Sequence, residues 1–236
     1  MKTFKFLQAS EKSDGKSLFE SVKDTADGHI IRDEELNEFI YFDDIHELVD
    51  YWANKDKPRL HSVINKDLPV RFNIDIDITE ELIRNYQEEG DLEEISRELI
   101  EIIKYECLLV FELEYLMETD EIEFYIAEDI REGKYSFRIY ANVYFESLED
   151  YKYYMKLLKE QVGPDISPMV DTTGLMLRMV FNYKGNHRLI WSEGVNYGLR
   201  PCILNYTDDC ILAPSIEMNE LKYGSVEITN EQEQEI

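Results

Sequence analysis

Two aspartates separated by a single residue are the first side chains in this sequence whose spacing suggests chemistry. Asp75 and Asp77 lie in the segment RFNIDIDITEEL, where isoleucines fill the alternate positions. Residues i and i+2 of a β-strand point to the same face, so the two carboxylates would repel each other unless water, a cation or a metal lies between them. Mg²⁺ and Mn²⁺ prefer oxygen ligands, and two such ions about 3.5–4 Å apart support phosphoryl transfer. The alternative is an ordinary half-buried strand with a wet polar face.

Polar residues later in the chain suggest contacts with phosphate. Ser136 and Arg138 stand at i and i+2 in YSFRIY, where a hydroxyl and a planar guanidinium would share one face. Asp171 follows two apolar residues in PMVDTTG, at an expected strand end, and Arg178 and Lys184 lie beyond it. Each also has an alternative without function. Ser136 and Arg138 would lie on the solvent face of an ordinary strand, and Asp171 would be a turn residue. Arg178 and Lys184 would be surface cations.

Strands and helices must position these residues. Alternation predicts strands over 71–78, over IEFYIA and over 135–145, and a last pair of strands joined by a turn at 184–186. Helical spacing predicts helices over RDEELNEFIYF, over IHELVDYW, after Thr79 as N-cap, after Gly90 and over SLEDYKYYMKLL. The order of these elements predicts a mixed α/β (α+β) fold in which the strands of 71–78 and 135–145 are neighbours. Their polar faces are expected to meet in one cleft.

The charge of the chain is strongly negative and unevenly distributed. The net charge of −26 predicts repulsion from nucleic acid and from anionic membranes. Residues 79–130 contain 18 acidic and 3 basic residues, whereas residues 131–190 contain 7 acidic and 9 basic residues. Any role with nucleic acid therefore requires a local basic surface. We expect the basic residues of 131–190 to line a cleft. The acidic residues are expected to cover the opposite side of the molecule, where the helices lie.

The cysteines and the start of the chain indicate an intracellular protein. Cys107, Cys202 and Cys210 are widely spaced and show no zinc-binding pattern, which favours a reducing compartment. The N-terminus has no apolar signal-peptide core, and no run of about 18 apolar residues occurs, so neither secretion nor a membrane span is expected.

Together, the polar motifs resemble those of the archaeo-eukaryotic primase superfamily in order and spacing. That family carries a DxD pair on one strand, an S-x-H motif on a later strand, and a third aspartate after an apolar residue. The nearest-looking branch is the primase domain of the helicase–primases of large DNA viruses. The segments HSVINKDLPVRFNIDID, GKYSFRIYANVYF and MVDTTGLMLRMVFNYKGNHRLI carry the resemblance, which extends from Pro58 to Trp191.

The resemblance implies a fold and a domain layout. The fold would be the primase catalytic core, an RRM-like sheet with flanking helices. The core would occupy 58–226, preceded by an N-terminal helical or mixed segment of the same domain over 1–57. Independently of the resemblance, the acidic composition of residues 227–236 predicts a disordered tail.

The resemblance also implies a viral DNA primase or primase-polymerase, which joins nucleotides into short primers during DNA replication. Its partners would be nucleoside triphosphates, a single-stranded DNA template and a replicative helicase. Two Mg²⁺ or Mn²⁺ ions are expected, and no zinc. The expected metal ligands and catalytic residues are Asp75, Asp77 and Asp171. The expected phosphate ligands are Ser136, Arg138, Arg178 and Lys184.

Arg138 departs from the family pattern, which has histidine at this position. An arginine can contact phosphate with a permanent charge, or it can turn away and pair with an acidic residue such as Glu128 or Asp129. Two alternatives to an active primase stay open, the first favoured by Arg138 and the net charge of −26, the second setting the resemblance aside. One is a catalytically inactive primase-like binding or assembly subunit, and the other is an acidic protein that mimics DNA.

Overall fold

The computed structural model describes residues 2–5, 28–65, 67–87, 89–171 and 176–215; the tail predicted over 227–236 lies outside these ranges. Within them the chain has a mixed α/β fold with largely antiparallel sheets and five helices, which confirms the predicted fold class. The strands are β1 (Lys2–Lys5), β2 (His29–Asp33), β3 (Glu38–Phe42), β4 (Leu60–Val63), β5 (Val70–Thr79), β6 (Phe124–Arg131), β7 (Lys134–Phe145), β8 (Val170–Asp171), β9 (Met176–Arg178), β10 (Tyr183–Lys184), β11 (His187–Arg188), β12 (Ile190–Trp191) and β13 (Ile211–Ala213). The helices are α1 (Ile45–Ala53), α2 (Glu80–Tyr86), α3 (Leu92–Leu113), α4 (Leu148–Gln161) and α5 (Gly163–Ile166).

A six-stranded sheet forms the centre of the structure. Its strand order is β12-β6-β7-β5-β8, and β13 pairs in parallel with β7. β5 and β7 are antiparallel neighbours, which confirms the pairing predicted for 71–78 and 135–145. Ile74, Ile76 and Ile78 are fully buried on one face of β5, and the intervening aspartates lie on the other.

The long helices α3 and α4 pack on the buried face of this sheet. α3 buries a stripe of residues at helical spacing that includes Ile95, Leu99 and Ile103. An aromatic cluster between the helices and the sheet consists of Phe72, Phe111, Tyr115, Phe145 and Tyr154. Helices cover one face, so the opposite face is left for polar side chains.

Replacing Tyr154 by phenylalanine is expected to destabilise the protein by about 1 kcal/mol. The Tyr154 side chain is fully buried, and its hydroxyl donates a hydrogen bond of 2.9 Å to the Cys107 carbonyl oxygen. Tyr153→Phe is a matched control, because that neighbouring side chain is 44% exposed. Urea denaturation would measure both variants. Equal stability losses in the two would contradict the assignment of Tyr154 to the core.

The helix after Thr79 begins as predicted. The Thr79 side chain accepts a hydrogen bond from the Leu82 amide, and Glu80 and Glu81 occupy the first turn of α2, where the helix dipole favours acids. This cap ends β5 two residues after Asp77. It thereby fixes how far the polar face of the strand extends.

The helix predicted over RDEELNEFIYF is wrong, because this segment forms the hairpin of β2 and β3. The Asp33 carboxylate accepts hydrogen bonds from the amides of Glu35 and Leu36, and Asn37 adopts a positive φ of 54°, which together close the turn. β3 is buried on both faces, so its sequence shows an apolar run instead of the alternation of a half-buried strand. Within the segment predicted over 1–57, residues 28–57 thus form two strands and a helix.

The two strands predicted around the 184–186 turn are divided into four short ones. β10 and β11 form a hairpin that turns at Gly185, which has a φ of 65°. β9 instead pairs with β4 in a second, five-stranded sheet of order β1-β3-β2-β4-β9, and β12 pairs with β6 in the central sheet. The chain passes between sheets here, and this explains the fragmentation. No helix in the described ranges has the length and apolarity needed to cross a bilayer.

Candidate active site

The strand register brings the three predicted motifs together on the open face of the central sheet. Asp75 on β5 lies opposite Arg138 on β7 and, on its other side, opposite Asp171 on β8. Asp77 lies opposite Ser136. The polar faces of the two long strands therefore meet, as predicted. Pairing between strands that are distant in the sequence brings the three motifs together.

A pocket opens over this face between the two sheets. Six of the seven predicted site residues line it, namely Asp75, Asp77, Ser136, Arg138, Arg178 and Lys184. Asp171 is exposed and lies beside the pocket, at the register position opposite Asp75. The other lining residues are Glu34, His61, Arg131, Lys134, Tyr183 and Leu189.

A guanidinium holds the first aspartate. Arg138 donates from Nε to Oδ1 of Asp75 at 3.0 Å and from Nη2 to Oδ2 at 3.1 Å, which is the two-pronged geometry that suits a carboxylate. Its Nη1 donates to the backbone carbonyl of Arg178. The side chain of Arg138 is only 12% exposed. The partners suggested from the sequence, Glu128 and Asp129, are therefore wrong, and Arg138 stays in the site.

An ammonium group and a hydroxyl hold the second aspartate. Lys134 Nζ lies 2.7 Å from Oδ2 of Asp77, and the Ser136 hydroxyl donates to Oδ1 at 2.6 Å. Burial opposes ionisation of Asp77, but the hydrogen bonds from Lys134 and Ser136 outweigh it and lower the pKa of the carboxyl group. Asp77 is consequently charged at neutral pH.

Arg178 is held in place by a buried carboxylate. Its Nη2 donates to Oδ2 of Asp129 at 2.6 Å, and Arg131 also contacts Asp129. Burial lowers the pKa of Arg178, and the neighbouring charge of Arg138 acts in the same direction. Among the residues described, none hydrogen-bonds the buried Nη1 of Arg178. The pocket wall thus contains a cation with one donor that is unpartnered within the described part of the chain.

Two pocket residues were not named individually from the sequence: Lys134, which belongs to the basic residues of 131–190 expected to line a cleft, and His61. Lys134 stands two residues before Ser136 on the same strand, so the alternation that identified Ser136 and Arg138 could have found it. His61 reaches the pocket from β4, opposite Arg178 on β9, through a long-range pairing that the sequence does not reveal. Burial lowers the pKa of His61 to about 4, with Arg138 adding to the effect, so its imidazole is neutral at pH 7.

The three aspartates fit Mg²⁺ or Mn²⁺ in the chemistry of their donor atoms. Hard divalent cations take carboxylate oxygens, and adjacent strands supply three such groups. As the side chains lie, however, no three acidic, histidine or cysteine groups within the described part of the chain form an assembled metal site. A divalent cation would have to replace Arg138 at Asp75 and Lys134 at Asp77.

Comparison with known proteins gives no independent assignment: no protein-family model matches the chain, and no curated protein matches it. The resemblance to primases consequently rests on the motifs themselves.

Proposed function

We propose that this protein is a nucleotidyltransferase of the archaeo-eukaryotic primase type, which makes short primers on single-stranded DNA from nucleoside triphosphates. The observation that carries the proposal is the register of three strands. The resemblance groups three motifs, separated by about sixty and then thirty-five residues, as one catalytic set. They lie at facing positions of one sheet: Asp77 faces Ser136, and Asp75 faces both Arg138 and Asp171. Ordinary amphipathic strands with wet polar faces would not predict that these three motifs come together.

Asp75, Asp77 and Asp171 would hold Mg²⁺ or Mn²⁺, which would activate a primer hydroxyl and neutralise triphosphate charge. The chain's own contribution is orientation and electrostatics. Arg138, Arg178 and Lys184 converge on one pocket, where positive groups favour the charge that develops on a transferring phosphoryl group. The Ser136 hydroxyl lies on the same face and could donate to a phosphate oxygen in exchange for its present bond to Asp77.

A second candidate function has its own supporting observation. Asp75 and Asp77 both carry a basic partner from the same chain, and this arrangement neutralises the carboxylates without any metal. An inactive primase-like subunit that binds nucleotide or single-stranded DNA would need the basic pocket but no metal ions. Its phosphate contacts would resemble those of the active enzyme.

Primer synthesis on an unprimed single-stranded template tests the two candidates directly. The reaction would contain labelled nucleoside triphosphates and Mn²⁺ or Mg²⁺, with ribonucleotides and deoxyribonucleotides tested separately. The proposal expects short, template-dependent products that disappear when EDTA removes the cation. Nucleotide binding without any product, under all cation conditions, would favour the inactive subunit and overturn the proposal.

Single-stranded DNA is expected to bind weakly, with an affinity that falls as salt rises. Arg131, Lys134, Arg138, Arg178 and Lys184 line the pocket in a chain of net charge −26, so the basic surface is local. Three to five phosphate contacts would give a slope of about −2 to −3.5 in log K against log salt. Fluorescence anisotropy with a labelled oligonucleotide measures it. Tight binding that is indifferent to salt would contradict a basic template path.

A further inference from the structure

The more constrained of the two ion pairs at the DxD motif joins Arg138 to Asp75. Both oxygens of the carboxylate accept from the guanidinium, and the remaining Nη1 is occupied by the Arg178 carbonyl. The two side chains are 12% and 21% exposed. An ion pair of this geometry and burial resists competition far better than a single-contact pair on the surface.

The corresponding pair at Asp77 is looser. Lys134 makes one contact with the carboxylate, and the two side chains are 38% and 50% exposed. A lysine on a flexible stem can leave this position at little cost. Arg138, and not Lys134, is therefore the main competitor for any divalent cation that needs the DxD pair.

We propose that Arg138 competes with a divalent cation for Asp75 and binds the triphosphate once it is displaced, so that cation and nucleotide bind cooperatively. The inference rests on the proposed function and deepens it. When a cation takes the carboxylate, the guanidinium loses its counter-ion in a pocket that also contains Arg178 and Lys184. Charge repulsion among these groups then favours a triphosphate as the new partner of Arg138.

The cooperativity follows from linkage. A nucleotide whose phosphates engage Arg138 removes the competitor from Asp75 and so raises the affinity for the cation. Because such coupling is reciprocal, the cation raises the affinity for the nucleotide by the same factor. Histidine, the residue of the related primases at this position, lacks the guanidinium fork that contacts both oxygens of a carboxylate. Arginine in place of histidine therefore requires that Arg138 leave Asp75 before the cation binds there. It still supplies a ligand for phosphate.

The first test measures Mn²⁺ affinity without nucleotide, by calorimetry or by the electron paramagnetic resonance of free Mn²⁺. Arg138→Gln is expected to bind Mn²⁺ on the order of 10-fold more tightly than wild type, because it removes a two-pronged charged hydrogen bond from Asp75. Arg131→Gln is the matched control. It removes one positive charge from the same pocket, but Arg131 pairs with Asp129 and not with Asp75. An equal gain in both variants, or no gain in Arg138→Gln, overturns the proposal.

The second test measures the affinity for a non-hydrolysable nucleoside triphosphate in EDTA and in Mn²⁺. Arg138→Gln is expected to change the affinity by less than about 3-fold in EDTA but by about 10- to 100-fold in Mn²⁺, where the guanidinium is released to the phosphates. Equal losses of nucleotide affinity in EDTA and in Mn²⁺ would show that Arg138 binds phosphate with or without the cation. That result would overturn the proposed exchange, in which Arg138 moves from Asp75 to a phosphate. Arg138→Lys keeps the charge without the fork and should give intermediate values. It replaces Arg138→Gln if that variant does not fold.

The results also separate this inference from the proposed function. If wild type binds Mn²⁺ and Arg138→Gln binds it no better, the exchange is wrong and the metal-dependent site stands. If Arg138→Gln binds Mn²⁺ more tightly and no protein makes primers, the exchange stands and the proposed activity is wrong. If no variant binds Mn²⁺, both are wrong.

Discussion

The double substitution Asp75→Ala with Asp77→Ala is expected to reduce the proposed nucleotidyl transfer on the order of 10³-fold or more. The two carboxylates share one face of β5 and provide two of the three oxygen ligands proposed for the cation. Mn²⁺ binding should be lost with the activity. Unfolding should stay cooperative, because the fully buried isoleucines of this strand are untouched. Stability should fall, since Arg138 loses its carboxylate partner.

Glu80→Ala with Glu81→Ala is the matched control for this experiment. It removes two adjacent carboxylates just beyond the same strand, but both are exposed in the first turn of α2. The loss of favourable dipole contacts should cost about 1–2 kcal/mol of stability at most and leave Mn²⁺ binding intact. If the Asp75 and Asp77 double variant binds Mn²⁺ as wild type does, the metal site lies elsewhere.

Asp129→Ala is expected to destabilise the protein by about 3–5 kcal/mol, because it leaves the buried guanidinium of Arg178 without its carboxylate. Arg178 is 5% exposed and Asp129 is 4% exposed. Arg131→Gln should cost less than about 1 kcal/mol, since Arg131 is a partly exposed partner of the same carboxylate. Chemical denaturation of the three proteins gives the comparison. A cost below 1 kcal/mol for Asp129→Ala would contradict the role of this ion pair.

The same carboxylate predicts a pH dependence. Burial alone would raise the pKa of Asp129, but hydrogen bonds from Arg131 and Arg178 reverse this and lower it to about 2. A group whose pKa is depressed by folding stabilises the protein above its unfolded pKa, and that stability is lost as pH falls towards the folded value. Wild type should lose about 2 kcal/mol more than Asp129→Asn between about pH 4 and pH 2. Parallel curves for the two proteins would contradict the lowered pKa.

Local signals predicted the central sheet well. The isoleucine alternation around Asp75, the Thr79 cap and the alternation through Ser136 and Arg138 each depend on neighbours within a few residues. The order of strands and helices also predicted that the strands over 71–78 and 135–145 are neighbours. The helix expected around Phe39 failed because β3 is buried on both faces, and burial from two sides removes the period that distinguishes a strand.

The composition of the pocket could be predicted only in part. Five of the nine basic residues in 131–190 line it, as expected, whereas the lysines of α4 lie on the helical side. His61 enters through the pairing of β4 with β9, two strands separated by more than one hundred residues. The pairing of Arg138 with Asp75 depends on a cross-strand register, and a one-residue slip would have turned one of the two side chains to the opposite face.

The position of Mn²⁺ in crystals of the protein with a non-hydrolysable nucleoside triphosphate tests the central claim most directly. Anomalous diffraction at the manganese edge locates the ion independently of any fold comparison. The account predicts an anomalous peak in contact with the carboxylates of Asp75 and Asp171, with Arg138 turned from Asp75 to a phosphate oxygen. A nucleotide bound in the pocket with no manganese at these carboxylates, and with the Arg138–Asp75 pair intact, would contradict it.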